Sequence, residues 1–117
     1  MSLSWEQVTI DTPDPKTLGR WWCDALSWVI VSADEQEVEI RPNPETTPGI
    51  LFIRVADGKS AKNRLHLDLR PDDQAAEVAR LEAMGARQID IGQGQPSWVV
   101  LEDPEGNEFC VLREIQN

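Results

Sequence analysis

The sequence of 117 residues holds a single histidine, His66. Any mechanism that draws two imidazoles from one chain is therefore excluded. Only two cysteines occur, Cys23 and Cys110, in segments that read as a helix and a strand and without CxxC spacing. A disulfide framework is not indicated. Positive charge is also scarce: 11 Lys and Arg stand against 21 Asp and Glu, a net charge of −10. Such a chain repels phosphate backbones and anionic lipid surfaces, so neither nucleic acid nor a membrane is an expected partner. The longest stretches free of charge, Ala25 to Ala33 and Ile91 to Leu101, are nine and eleven residues, far short of the roughly 20 residues that cross a bilayer. The opening residues show no basic flank followed by an apolar run, so no secretory signal is read and a cytoplasmic address is expected.

What remains is enough for one compact domain, residues 1–117, with 40% hydrophobic and 27% charged residues. Gln7, Thr9 and Asp11 alternate with Val8 and Ile10, the period of a half-buried strand. Asp14 offers an N-cap oxygen, and Pro15 is pre-set for a first helical turn. Leu18, Trp21, Trp22, Ala25 and Leu26 then recur at helical spacing. Trp28–Ser32, Glu37–Arg41 and Gly49–Val55 read as three strands, the middle one with a wet face.

The order then repeats. Leu65, Leu67 and Leu69 alternate with His66, Asp68 and Arg70, and Asp72 is expected to cap a helix from about Asp73 to Met84 that Gly85 ends. Strands are expected over Ala86–Ile91, Ser97–Glu102 and Glu108–Arg113, the last two joined by Asp103-Pro104-Glu105-Gly106-Asn107, a turn rich in residues that fix φ or allow positive φ. Laying Gln7–Ile10 over His66–Leu69 makes each half strand, helix, strand, strand, strand. The chain is thus an internal duplication in shape, an α+β fold of two βαβββ modules, about 1–58 and 59–117. A helix that crosses between strands covers one face of its sheet, and the opposite face becomes the candidate site.

On that face strand alternation sets His66 beside Asp68 and Arg70, and Gln7, Thr9 and Asp11 on the matching face of the first strand. Asp68 is placed to orient a ring nitrogen of His66. The imidazole can then act as a general base or as a hydrogen-bond donor to a ligand, or it can simply be satisfied by a backbone carbonyl. Five tryptophans against no tyrosine and two phenylalanines supply bulky rings. Trp5, Trp28 and Trp98 can wall a pocket or close the core. Arg54, Lys59, Lys62 and Arg64 cluster closely enough to hold an anion, or to form a solvated loop.

The twin βαβββ order, the Leu-His-Leu-Asp-Leu segment, the Asp-Pro-Glu-Gly-Asn-Glu-Phe turn and the aromatic first helix together resemble the vicinal oxygen chelate superfamily, its glyoxalase-like branch above all, which includes glyoxalases, bleomycin resistance proteins and dioxygenases. The resemblance implies that the strands of both halves form a curled mixed sheet around a cup-shaped cavity, with one helix per module on the outer face, and that the chain pairs as a homodimer. It also implies a metal held from the first and last strands of each half. Those positions fall on Gln7, near Ile53, on His66 and on Cys110. Only His66 is a usual ligand type, and Cys110 reads as a small buried apolar residue before it reads as a ligand. The expectation is accordingly a small-molecule-binding domain without a cofactor. His66 is its catalytic candidate, and Gln7, Thr9, Asp68, Arg70, Trp98 and Cys110 are its ligand-binding candidates. His66 and Cys110 are the candidates for any divalent metal. Two alternatives stay open: a lyase or isomerase acting on a carbonyl metabolite with His66 as base or metal ligand, and a drug-sequestering resistance protein.

Overall fold

The computed structural model describes residues 2–90, 92, 94 and 96–115. The chain divides into two compact units, Met1–Gly58 and Lys59–Asn117. Each repeats the same topology.

In unit one the elements are β1 (Gln7–Thr12), α1 (Pro15–Leu26), β2 (Val29–Ala33), β3 (Glu37–Arg41) and β4 (Gly49–Arg54). Helix α1 starts where Asp14 caps it, the carboxylate accepting from the Thr17 N–H at 3.2 Å with Pro15 following. That hydrogen bond holds the Asp14 carboxyl below its usual range. The helix ends at Ser27 in the left-handed region (φ 56°), with the Trp28 N–H donating back to the Cys23 carbonyl. The sheet order is β1-β4-β3-β2, with β1 parallel to β4 and the other pairs antiparallel. Register sets Val38 against Phe52 and Ile40 against Ile50, all buried on one face. α1 lies close on that face: a Cβ added at Gly19 would stand 2.8 Å from Val38 Cγ1 and 3.4 Å from Phe52 Cδ2. Leu18, Trp22 and Ala25 are buried there, Trp22 is 1% exposed, and its ring meets that of Trp21 edge-on at 5.1 Å. Trp22 is therefore core, a large fully buried apolar side chain being worth about 1.5–3 kcal/mol, while Trp21 is half-buried. The opposite face carries Glu37, Glu39 and Arg41 on β3, where Arg41 pairs with Glu39 at 2.7 Å.

Unit two runs β5 (Leu67–Leu69), α2 (Gln74–Ala83), β6 (Arg87–Gln88), β7 (Val99–Glu102) and β8 (Glu108–Val111), in sheet order β5-β8-β7-β6. β5 and β8 are again the parallel pair. The α+β class and the two βαβββ modules follow directly from these orders, and each sheet is open at both edges. Leu101, Phe109 and Val111 form the buried apolar face, and Gln74 at the start of α2 donates to the Val111 carbonyl at 3.2 Å. The β7–β8 turn is built on buried Asp103. Its carboxylate accepts from the N–H groups of Glu105 and Asn107 and from the Asn107 side chain, at 2.9–3.2 Å. Gly106 takes the positive φ (85°) that the turn requires.

Three local expectations are corrected. The cap of α2 is Asp73, which accepts from the Ala76 N–H at 3.0 Å, and not Asp72. Helix α2 begins one residue later than read, and Glu114, near the far end of the unit, accepts the Gln74 N–H of its first turn at 2.9 Å. Leu65 lies ahead of β5 and is exposed, because β8 offers pairing partners only to Leu67–Leu69. The strand read over Ala86–Ile91 is ordered as Arg87–Gln88, and Ile91 lies outside the described residues. Gly85 ends α2 with φ 107°, as read from the sequence. Among the described residues no helix is long and apolar enough to cross a membrane.

Candidate functional site

The parallel register of β5 on β8 places Asp68 opposite Cys110, and antiparallel β7 adds Val100 on the other side of Cys110. His66 stands two residues before Asp68 and so emerges on the same side of the chain. The three side chains meet. His66 Nδ1 is 2.7 Å from Asp68 Oδ1, Cys110 Sγ is 3.9 Å from the same nitrogen, and all three ligand atoms lie within 4.8 Å of one another. The His66 and Asp68 side chains are 44% and 45% exposed, whereas Cys110 is 5% exposed. The cluster thus has an accessible polar front and a buried sulfur behind.

Burial pushes the Cys110 thiol up to about 11, helped by the Asp68 charge and a hydrogen bond to Asp68, while the Lys62 charge acts the other way. At neutral pH the sulfur is therefore a protonated, weakly polar wall and a poor nucleophile.

One strand position before Phe109, Glu108 makes a second polar centre. Its carboxylate, 8% exposed, pairs with Lys59 Nζ at 2.9 Å and accepts the Asn63 N–H at 3.2 Å. Asn63 Nδ2 donates back to the Glu108 carbonyl at 3.3 Å. Burial raises the Glu108 carboxyl, but the Lys59 ammonium and the hydrogen bonds outweigh it and hold the group below its usual range. This clasp ties the segment that leads into His66 onto the strand that carries Cys110. Sequence reasoning missed it, although an acid at the start of the otherwise apolar Glu-Phe-Cys-Val strand was the available signal.

The remaining sequence candidates stand on other segments or are held by other groups. Arg70 Nη1 donates to the Arg113 carbonyl at 2.7 Å. Trp98 is 41% exposed just ahead of β7. Gln7 and Thr9 stand on β1 of unit one, and the Gln7 carbonyl accepts from Trp5 Nε1 at 3.2 Å. The basic cluster is divided: Arg54 donates to the Glu35 and Pro13 carbonyls in unit one, and Lys59 is taken by Glu108 in unit two.

A divalent metal of the kind the resemblance implies does not fit these donors. Two ligands of one tetrahedral ion with bonds of about 2.0–2.1 Å stand roughly 3.3 Å apart. The 2.7 Å from His66 Nδ1 to Asp68 Oδ1 is instead a hydrogen-bond length. Of the other positions the resemblance points to, Ile53 has no donor atom and Gln7 offers only a neutral amide.

The family model for the glyoxalase-like domain matches residues 7–112. No curated protein matches the chain. Among solved structures, a glyoxalase/bleomycin resistance protein/dioxygenase family enzyme from Burkholderia phytofirmans PsJN shares 16% identity at a TM-score of 0.71, covering 97% of this chain and 100% of that one. The trypanothione-dependent glyoxalase I of Leishmania major shares 14% identity at 0.74, covering 97% and 88%. The fosfomycin resistance protein FosX of Mesorhizobium loti shares 14% at 0.70, covering 96% and 92%. Likeness at these identities speaks for the fold. With the family model spanning both units, the chain belongs to the glyoxalase-like domain family of the vicinal oxygen chelate superfamily.

Proposed function

We propose that this glyoxalase-like domain binds a small molecule without a metal, with His66 as the polar contact, Asp68 orienting its ring and Cys110 forming the wall behind. The observation that carries the proposal is the 2.7 Å contact between His66 Nδ1 and Asp68 Oδ1, on a ring that is half-exposed and therefore reachable by a ligand. Fosfomycin resistance in one structural neighbour and the bleomycin resistance grouping of another support a metabolite or an antibiotic as ligand. Arg70 and Trp98 of the same unit belong to the proposal as further contacts, and a homodimer in the cytoplasm is the assembly it carries. The same 2.7 Å contact favours a second reading. A carboxylate that orients an imidazole also suits it for proton transfer at an acidic carbon of a carbonyl metabolite.

The test is a thermal-shift panel of metabolites and antibiotics on the wild type and on His66→Ala, with elemental analysis of the purified protein. A ligand at a hundred times its Kd stabilises by about 2.7 kcal/mol. The expected result is a stabilising compound whose effect is lost in His66→Ala, with substoichiometric metal. Exchange of that compound's C–H for deuterium only in the presence of wild type supports the proton-transfer reading. Stabilisation that is the same in both proteins, or one firmly bound metal per chain, contradicts the proposal.

A further inference from the structure

We infer that the site selects ligands that present an N–H or O–H donor, received by the lone pair on Nε2 of His66. The inference rests on the small-molecule reading above and adds the ligand's chemistry to it.

An ionised carboxylate only accepts hydrogen bonds. Asp68 Oδ1 lies 2.7 Å from Nδ1, so the hydrogen of a neutral imidazole sits on Nδ1. The other ring nitrogen is then an acceptor. Both described contacts of the His66 ring, to Asp68 and to Cys110, converge on Nδ1, and among the described residues none is made at Nε2. The protonated Cys110 thiol is itself a donor beside Asp68 and adds no negative charge behind the ring. In the neutral ring Nε2 is consequently the one strong acceptor that the half-exposed imidazole presents to a ligand. A carboxylate or phosphate would bring an acceptor to an acceptor beside the Asp68 charge, on a chain of net charge −10. A hydroxyl, amide N–H or amine meets it with the correct polarity.

Because His66 is the only histidine, a long-range ¹H–¹⁵N spectrum reports one imidazole without assignment. At pH 8 the wild type is expected to show a protonated Nδ1 and a bare Nε2. Titration then uses three probes on one ring, benzylamine, benzyl alcohol and benzoate. The amine and the alcohol are expected to move the Nε2 signal, and benzoate to bind at least about tenfold more weakly, the size of one net hydrogen bond. Asp68→Asn, whose amide can donate to Nδ1 as well as accept, is expected to erase that preference. The wild-type tautomer is decisive even if the variant does not fold. A ring protonated on Nε2, or a benzoate titration as tight as that of benzylamine, overturns the inference. Either result leaves the small-molecule reading standing as long as some ligand's stabilisation depends on His66. Loss of that dependence overturns the reading itself.

Discussion

Replacing Glu108 with alanine removes the acceptor shared by Lys59 Nζ at 2.9 Å and the Asn63 N–H at 3.2 Å. Truncating one partner of a fully buried ion pair costs about 3–5 kcal/mol. Lys59 keeps 18% exposure and its contact with the Ala61 carbonyl, so we expect a loss of about 2–3 kcal/mol. For a domain of this size that lowers Tm by roughly 10 °C. Lys59→Met made together with Glu108→Met should cost less than the sum of the two single changes by at least about 1 kcal/mol, because neither charge is then left alone. The pH dependence follows from the sign of the shift. The folded Glu108 carboxyl titrates below its unfolded counterpart. Its contribution is present in full above the ordinary carboxylate range and is lost as pH falls through the folded value. Urea unfolding at pH 7 and at pH 3 should therefore show a smaller acid-induced loss in Glu108→Gln than in the wild type. A Glu108→Ala protein less than about 1 kcal/mol weaker at pH 7, or strict additivity with Lys59→Met, would refute the clasp.

Other perturbations probe separate parts of the chain. Both thiols are buried and pushed upward, Cys110 to about 11, so iodoacetamide at pH 8 should label native protein slowly and urea-unfolded protein fast. Rapid native labelling at Cys110, mapped by mass spectrometry, would contradict its placement. Gly49→Ala would set a Cβ 2.7 Å from the Ile40 carbonyl oxygen and 2.9 Å from Arg41 Cγ. Because backbone cannot give way, a loss of about 2 kcal/mol is expected in thermal unfolding, and an unchanged Tm would contradict the β3–β4 contact. Asp103→Ala strips the β7–β8 turn of its central acceptor at a site only 2% exposed. It should cost about 2–3 kcal/mol by urea unfolding, against almost nothing if the turn held its shape without it.

Features decided within a few residues were legible in the sequence. Asp14 and Pro15 announce α1, the Val38 and Ile40 alternation announces the half-buried β3, and Gly85 announces the end of α2. Pairing between distant segments was not. Leu65 continues the alternation of Leu67 and Leu69 yet lies outside the strand, since β8 supplies partners for only three residues. The first turn of α2 is also tied to Glu114, forty residues beyond Gln74. The candidate site divides along the same line. His66 and Asp68 share a side by alternation alone, while Cys110 was reached only through family resemblance. Its approach to them is set by the Asp68–Cys110 register of a parallel pair. The Glu108 clasp spans a similar separation, from Lys59 and Asn63 to β8, and a sequence carries no direct mark of such a contact beyond an acid in an apolar strand.

The most direct measurement is a crystal structure of the protein with a compound drawn from the stabilising panel. The account predicts ligand density in front of the His66 ring, a ligand donor within hydrogen-bond distance of Nε2, and Asp68 still engaged with Nδ1. Density elsewhere on the molecule, with the imidazole untouched, would contradict it.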